Sequence, residues 1–135
     1  MPLETIVISE ENQYDIFIIG SGPAGLTAAM YGARSGLKTC FIEKSAPGGK
    51  LVSIKTINNF PGYESLKGTD LASSLYKQAI DAGAKYLYGT VTNVVKKLGY
   101  WAIYGAEGNT WFTKALIIAS GTENTKLNVA GEEQY

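Results

Sequence analysis

The stretch Gly20-Ser21-Gly22-Pro23-Ala24-Gly25 sets three glycines in a GxGxxG spacing, directly after the apolar run Tyr14–Ile19. Where a strand feeds a helix, each glycine of such a turn has its own task. The first allows a tight turn, the second lets a bulky anion reach the backbone, and the third lets the helix pack closely. N–H groups at the helix start, with the positive end of its dipole, then suit the pyrophosphate of a dinucleotide. Glu43 stands 23 residues after Gly20, close to the ~20-residue spacing of an acid that accepts ribose hydroxyls. Such charge-assisted hydrogen bonds are worth ~1.5–3 kcal/mol. The same charge repels a 2′-phosphate, so FAD or NAD suits this pattern better than NADP. Gly48-Gly49 and Asn59 form a third candidate, able to approach a bound cofactor through backbone and amide.

Each feature also has a plainer reading. The glycine turn serves equally as a simple strand-to-helix connection. An acid at a strand end is commonly just solvated. Gly48-Gly49 reads as a turn, and Asn59 as a cap on its own backbone before Phe60-Pro61. Cys40 reads as a buried core residue, since a lone thiol on an interior strand lacks an activating partner. Lys96-Lys97 reads as a solvated turn flank, and Trp101 and Trp111 as packing residues.

The elements that must position these residues follow from periodicity. Residues 1–13 read as a lead-in, with Ile6-Val7-Ile8 too short to assign. Tyr14–Gly20 is nearly continuous in apolar residues, as in a strand buried on both faces of a parallel sheet. Pro23 suits the first turn of a helix that runs to about Ser35 and stops at Gly36 as C′ residue. Small residues Gly25, Ala29, Gly32, Ala33 and Gly36 fall on one side, letting the helix lie close to the sheet. Leu37–Ile42 is a second strand ending at Glu43, and right-handed crossover makes the two strands parallel neighbours. Residues 44–68 read as long and mostly irregular, a length that usually carries function. An amphipathic helix is predicted over Thr69–Ala82, with Thr69 as N-cap, a stripe at Leu71, Leu75, Ala79 and Ala82, and Gly83 as its stop. Ala84–Tyr88 is a third parallel strand. Val91–Val95, Trp101–Tyr104 and Thr110–Phe112 alternate as a short antiparallel meander, and Ala115–Ala119 returns as a separate buried strand. The fold class is α/β, a Rossmann-like βαβ unit with a parallel sheet and a β-meander.

Composition narrows the function classes. The chain of 135 residues suits one domain, and 45% apolar with 18% charged residues is ordinary for a globular protein. Lys plus Arg and Asp plus Glu both number 12, so no net field draws it to nucleic acid or anionic membrane. Arg34 is the only arginine, Cys40 the only cysteine, and histidine is absent. That excludes, within this sequence, Ser-His-Asp triads, disulfide scaffolds and His- or multi-Cys metal sites. No apolar run reaches the ~18 residues of a membrane span, and the start lacks a signal pattern, so a cytoplasmic location is expected.

At Gly20–Gly25, Pro47-Gly48-Gly49-Lys50-Leu51, Asn59-Phe60-Pro61-Gly62, Ala119-Ser120-Gly121 and Val129-Ala130-Gly131-Glu132-Glu133, the chain resembles the bacterial, low-molecular-weight thioredoxin reductases. The combination is far narrower than the glycine turn alone. The resemblance implies an FAD domain in which Ser21, Gly22, Pro23 and Ala24 lie on the pyrophosphate and Glu43 on the adenosine ribose. Lys44 through Gly48, Gly49, Lys50 and Leu51 would wrap the cofactor, and Asn59 would sit near the isoalloxazine. Val91 would contact the adenine side, and Ala119, Ser120 and Gly121 would close the site. Three positions depart from the family pattern: Lys50 replaces a common glutamine, Ser120 a threonine, and Asn58 an acid.

In that family an NADPH domain with a Cys-x-x-Cys pair follows, and the chain then returns to complete the FAD domain. The expectation is therefore a lead-in at 1–13 and a partial FAD domain at 14–135, with no catalytic or metal-ligating residue of its own. The resemblance implies electron flow from NADPH through FAD to the Cys-x-x-Cys pair and thioredoxin, in a homodimeric enzyme. Alone, this segment is expected to be inactive, to bind FAD weakly and to expose an apolar face. Two alternatives stay open: a ferredoxin- or flavodoxin-NADP reductase of the same fold, and a non-catalytic nucleotide-binding module.

Overall fold

The apolar run after the lead-in forms strand β1 (Gln13–Ile19), and the glycine turn leads from it into helix α1 (Pro23–Arg34) in this computed structural model. The structure describes residues 8–123, 125, 126 and 129. Ile6 and Val7 of the lead-in, and Ala130 to Glu133 of the last family-like motif, lie outside the described residues. Strand β2 (Thr39–Glu43), helix α2 (Gly68–Asp81) and strands β3 (Lys85–Tyr88), β4 (Val91–Lys97), β5 (Tyr100–Gly105) and β6 (Thr110–Ile118) complete the element order. They build one six-stranded sheet in the order β3-β2-β1-β6-β5-β4. β1 pairs in parallel with β2 and with β6, while β4, β5 and β6 form the antiparallel meander.

Helix α1 lies close to the sheet because its inner residues are small. A Cβ on Gly32 would meet Thr39 Oγ1 at 2.7 Å and Ile16 Cδ1 at 3.1 Å. Gly25 and Ala29 are likewise buried, whereas Gly36 faces open space and ends the helix with φ +76°. Gly36 is thus the C′ residue and not part of the close-packed stripe. Ile18 and Phe41 from the strands pack with Leu26, Ala29 and Ala79 from the helices. The opposite sheet face buries Phe17, Cys40 and Ile42 under Ile103, Trp101 and Trp111 of the meander. Fully burying side chains such as Phe17, Phe41 and Leu26 stabilises the fold by about 1.5–3 kcal/mol each. Cys40 sits in this second core, with its thiol pushed up by burial.

Three expectations need correction. Thr110–Phe112 and Ala115–Ala119 are not separate strands, because β6 runs unbroken from Thr110 to Ile118. Thr110 and Trp111 pair with β5 alone, Phe112 and Thr113 with both β5 and β1, and the later residues with β1 alone. Thr69 is not the N-cap of α2, since Lys67 takes that place with no side-chain cap. The helix begins at Gly68, where a Cβ would lie 2.0 Å from the Leu51 carbonyl oxygen, too close for any other residue. Residues 44–68 are also less irregular than expected. A 3-10 turn at Gly49–Ser53 and an antiparallel bridge between Ile57 and Leu66 organise them, over a small core of Leu51, Ile57, Leu71 and Ala72. Within this stretch Gly62, at φ +91°, follows Pro61 in a turn closed by Tyr63 N–H donating to the Phe60 carbonyl at 3.2 Å. No helix among the described residues is long and apolar enough to cross a membrane.

Candidate functional site

The carboxyl ends of β1, β2 and β6 meet at Gly20. Its φ of +105° is one that side-chain-bearing residues rarely adopt. A Cβ there would also stand 2.1 Å from the Ala119 carbonyl oxygen. Gly25 has the matching constraint on the helix side, where a Cβ would stand 2.1 Å from the Gly20 carbonyl oxygen. Gly22 differs from both. It has φ −69°, caps α1 without a side-chain bond, and would point a Cβ into open space. That open space beside an uncapped helix start is room for an anion, which a side chain would fill.

The loop after β2 closes on this turn. Gly48 N–H donates to the Ser21 carbonyl at 2.8 Å, and a Cβ on Gly49 would lie 3.1 Å from Gly22 Cα. Gly48 itself has φ +123° and backs onto Ala72 of α2, leaving no room for a side chain. Glu43 ties the two segments together. Its Oε2 accepts from Ser21 Oγ at 2.9 Å and Ser21 N–H at 3.3 Å. Its Oε1 accepts from Lys44 N–H at 2.9 Å and from Ser45 N–H and Oγ, both at 3.2 Å. Burial pushes the carboxyl pKa up, but these hydrogen bonds outweigh burial and hold it below the usual range. Glu43 is therefore an anion with fixed orientation.

Ile19, Gly20, Ile42, Glu43, Lys44 and Val91 line a cleft of about 330 Å³, closed on its far side by Ser120 to Glu123. Two lysines cross toward that far side: Lys50 Nζ donates to Thr122 Oγ1 at 2.9 Å, and Lys44 Nζ lies 3.7 Å from Glu123 Oε1. A larger hollow of about 500 Å³ lies around Tyr14, Asp15, Tyr100 and Lys114. It opens at the amino end of β1 and shares no residue with the glycine turn, whereas Gly20 and Glu43 both line the smaller cleft.

The structure thus gathers Gly20, Glu43, Lys44, Val91, Ser120 and Gly121 around one cleft, with Ser21, Gly22, Gly48 and Gly49 in contact behind it. Pro23 and Ala24 are exposed at the helix start. Leu51 is buried in the small third core, and Ala119 packs against the helix-side core. Asn59 is exposed and stands outside the cleft lining. Sequence reasoning missed Gly89, Thr90, Thr122 and Glu123. Only Gly89 carried a signal, its glycine type fitting a φ of +154° at the exit of β3.

Residues 14–135 match the family model described as pyridine nucleotide-disulphide oxidoreductase. The chain belongs to that family. Relatives within it include the thioredoxin reductase of Listeria monocytogenes, 43% identical over 126 residues, which cover 93% of this chain and 39% of the relative. The thioredoxin reductase of Bacillus subtilis is 39% identical over 127 residues, covering 94% of this chain and 40% of its own. Among solved structures, Lactococcus lactis thioredoxin reductase superposes with a TM-score of 0.84 at 42% identity, covering 90% of this chain and 40% of that one. This member of the pyridine nucleotide-disulphide oxidoreductases spans about two fifths of the length of the curated relatives it matches.

Proposed function

We propose that this chain is the FAD-binding portion of a thioredoxin reductase-type flavoenzyme, with residues 14–135 forming part of its FAD domain. The observation that carries the reading is that Gly20 of the glycine turn, ionised Glu43 and Ser120-Gly121 line one cleft at the carboxyl ends of parallel strands. Ligands of open α/β sheets bind at that end. The donor set fits the cofactor, with helix-start amides and open space at Gly22 for the pyrophosphate and a carboxylate for the ribose.

Bound there, FAD would carry electrons from NADPH to a Cys-x-x-Cys disulfide and on to thioredoxin. The residues of this chain hold and orient rather than react. Ser21 through Ala24 would receive the pyrophosphate, Glu43 would accept from the adenosine ribose, and Val91 would border the adenine. Lys44 and Lys50 would lie along the cofactor, with Gly48 and Gly49 keeping the loop close to the turn. Asn59 would reach the flavin end, and Ala119 to Gly121 would shape the wall beneath it. Cys40 takes no part, being buried with its thiol neutral. The reading places the whole enzyme in the cytoplasm as a homodimer, away from membranes and nucleic acid.

The test is titration of FAD into the purified protein, followed by flavin fluorescence and visible absorbance. Quenching or a shifted flavin band that saturates supports the reading. A folded protein by circular dichroism that leaves even about 1 mM FAD unbound, a concentration that would reveal the weak binding of a partial site, would sink it.

A further inference from the structure

We propose that the Ser45 hydroxyl competes with a ribose diol for Glu43, occupying an acceptor position that the diol must take. The inference rests on the FAD reading and deepens it. A carboxylate offers about four lone-pair sites. Glu43 receives five donors from Ser21, Lys44 and Ser45, so it has no capacity left for a ligand hydroxyl. A ribose therefore binds Glu43 only by displacing one of them.

The geometry selects which donor leaves. Ser21 is fully buried, its hydroxyl makes the shortest side-chain bond to the carboxylate, and its carbonyl is held by Gly48. The amides of Lys44 and Ser45 are fixed by the backbone, and the Ser45 carbonyl accepts from the Tyr86 hydroxyl at 3.4 Å. The Ser45 hydroxyl alone is exposed and free to rotate about one bond, with water to replace its partner. It is a positioning group that keeps the carboxylate satisfied when the cleft is empty and yields to a diol. A sugar without the diol makes no bond to Glu43 and leaves Ser45 in place.

The experiment compares ADP with 2′,3′-dideoxy-ADP, measuring Kd by NMR titration on the chain with Ser45, Ser45→Ala or Ser45→Thr. Removing the competing hydroxyl is expected to tighten ADP by about three- to tenfold, the worth of part of one hydrogen bond to a charge. Dideoxy-ADP should bind all three proteins equally, and Ser45→Thr, which keeps the hydroxyl, should match the unaltered chain. A gain for ADP that is absent, or shared equally by dideoxy-ADP, would overturn the role of Ser45 while leaving the FAD reading standing. Failure of the unaltered chain to bind either nucleotide would overturn both.

Discussion

A methyl group built on Gly25 would stand 2.1 Å from the carbonyl oxygen of Gly20, so the first turn of α1 and the end of β1 meet backbone against backbone. That contact aims the helix start at the cleft. It also separates two glycines that look alike in sequence. Gly25 is required by packing, whereas Gly22 has an ordinary φ and empty space where a side chain would go.

Gly25→Ala is therefore expected to cost about 1–3 kcal/mol of stability, because backbone must move to admit the methyl. Gly22→Ala should cost only about 0.5–1 kcal/mol, from a poorer N-cap, yet weaken FAD binding at least tenfold by filling the anion space. Urea unfolding and FAD titration on both variants check this. Equal loss of stability in the two would contradict the assignment.

Much of this was legible because Pro23 and the flanking glycines report local backbone needs directly. β6 was not legible as one strand. Thr113 and Lys114 interrupt its apolar pattern, yet Thr113 is buried with its hydroxyl donating to the Ala115 carbonyl at 2.8 Å. Lys114 remains exposed and pairs with Asp15 at 3.4 Å. The strand is continuous because it changes partners along its length, which periodicity does not encode. The early start of α2 escaped notice for a similar reason, since Gly68 answers to carbonyls of the 3-10 turn rather than to helix capping. Ser45 stood out only as part of the loop expected to wrap the cofactor, because its bonds to Glu43 depend on where that side chain points.

Glu43 has a depressed carboxyl pKa in the folded chain, so its contribution to stability is present above the unfolded value of about 4.3. It is lost as pH falls through the folded value. Glu43→Gln should accordingly be less stable than the unaltered chain at pH 7, with the gap closing below about pH 4. Asp15 is shifted the same way, first by the Lys38 amide and then by Lys114, so an acid limb should persist in the variant. The same variant should bind FAD about 10–100-fold more weakly, the worth of charge-assisted bonds of ~1.5–3 kcal/mol. Urea midpoints from pH 3 to 7 and FAD titration at pH 7 read the two effects separately.

Cys40 is fully buried, and burial raises its thiol pKa despite a backbone hydrogen bond and two lysines that act the other way. A folded pKa above the unfolded one gives stability that is complete below the unfolded value of about 8.5 and lost as pH rises past it. Labelling by a thiol-reactive disulfide should thus be blocked at pH 7 until the protein unfolds. Fast labelling of the folded protein, at a rate unchanged by denaturant, would contradict the burial.

Beyond Thr113, strand β6 has β1 on one side and no second strand among the described residues. Ile117 and Ile118 lie in this half-paired stretch at 37% and 66% exposure. An open strand edge carrying apolar side chains is a template for pairing with another chain. The chain is therefore expected to self-associate reversibly as its concentration rises. Ile118→Lys places a charge on that edge at a position already exposed, where a substitution alters stability by no more than about 0.5 kcal/mol. Sedimentation velocity should show the unaltered chain shifting to larger species with concentration while the variant remains monomeric. Equal association by both proteins would move the contact away from β6, and monomers throughout would show that this edge is already protected.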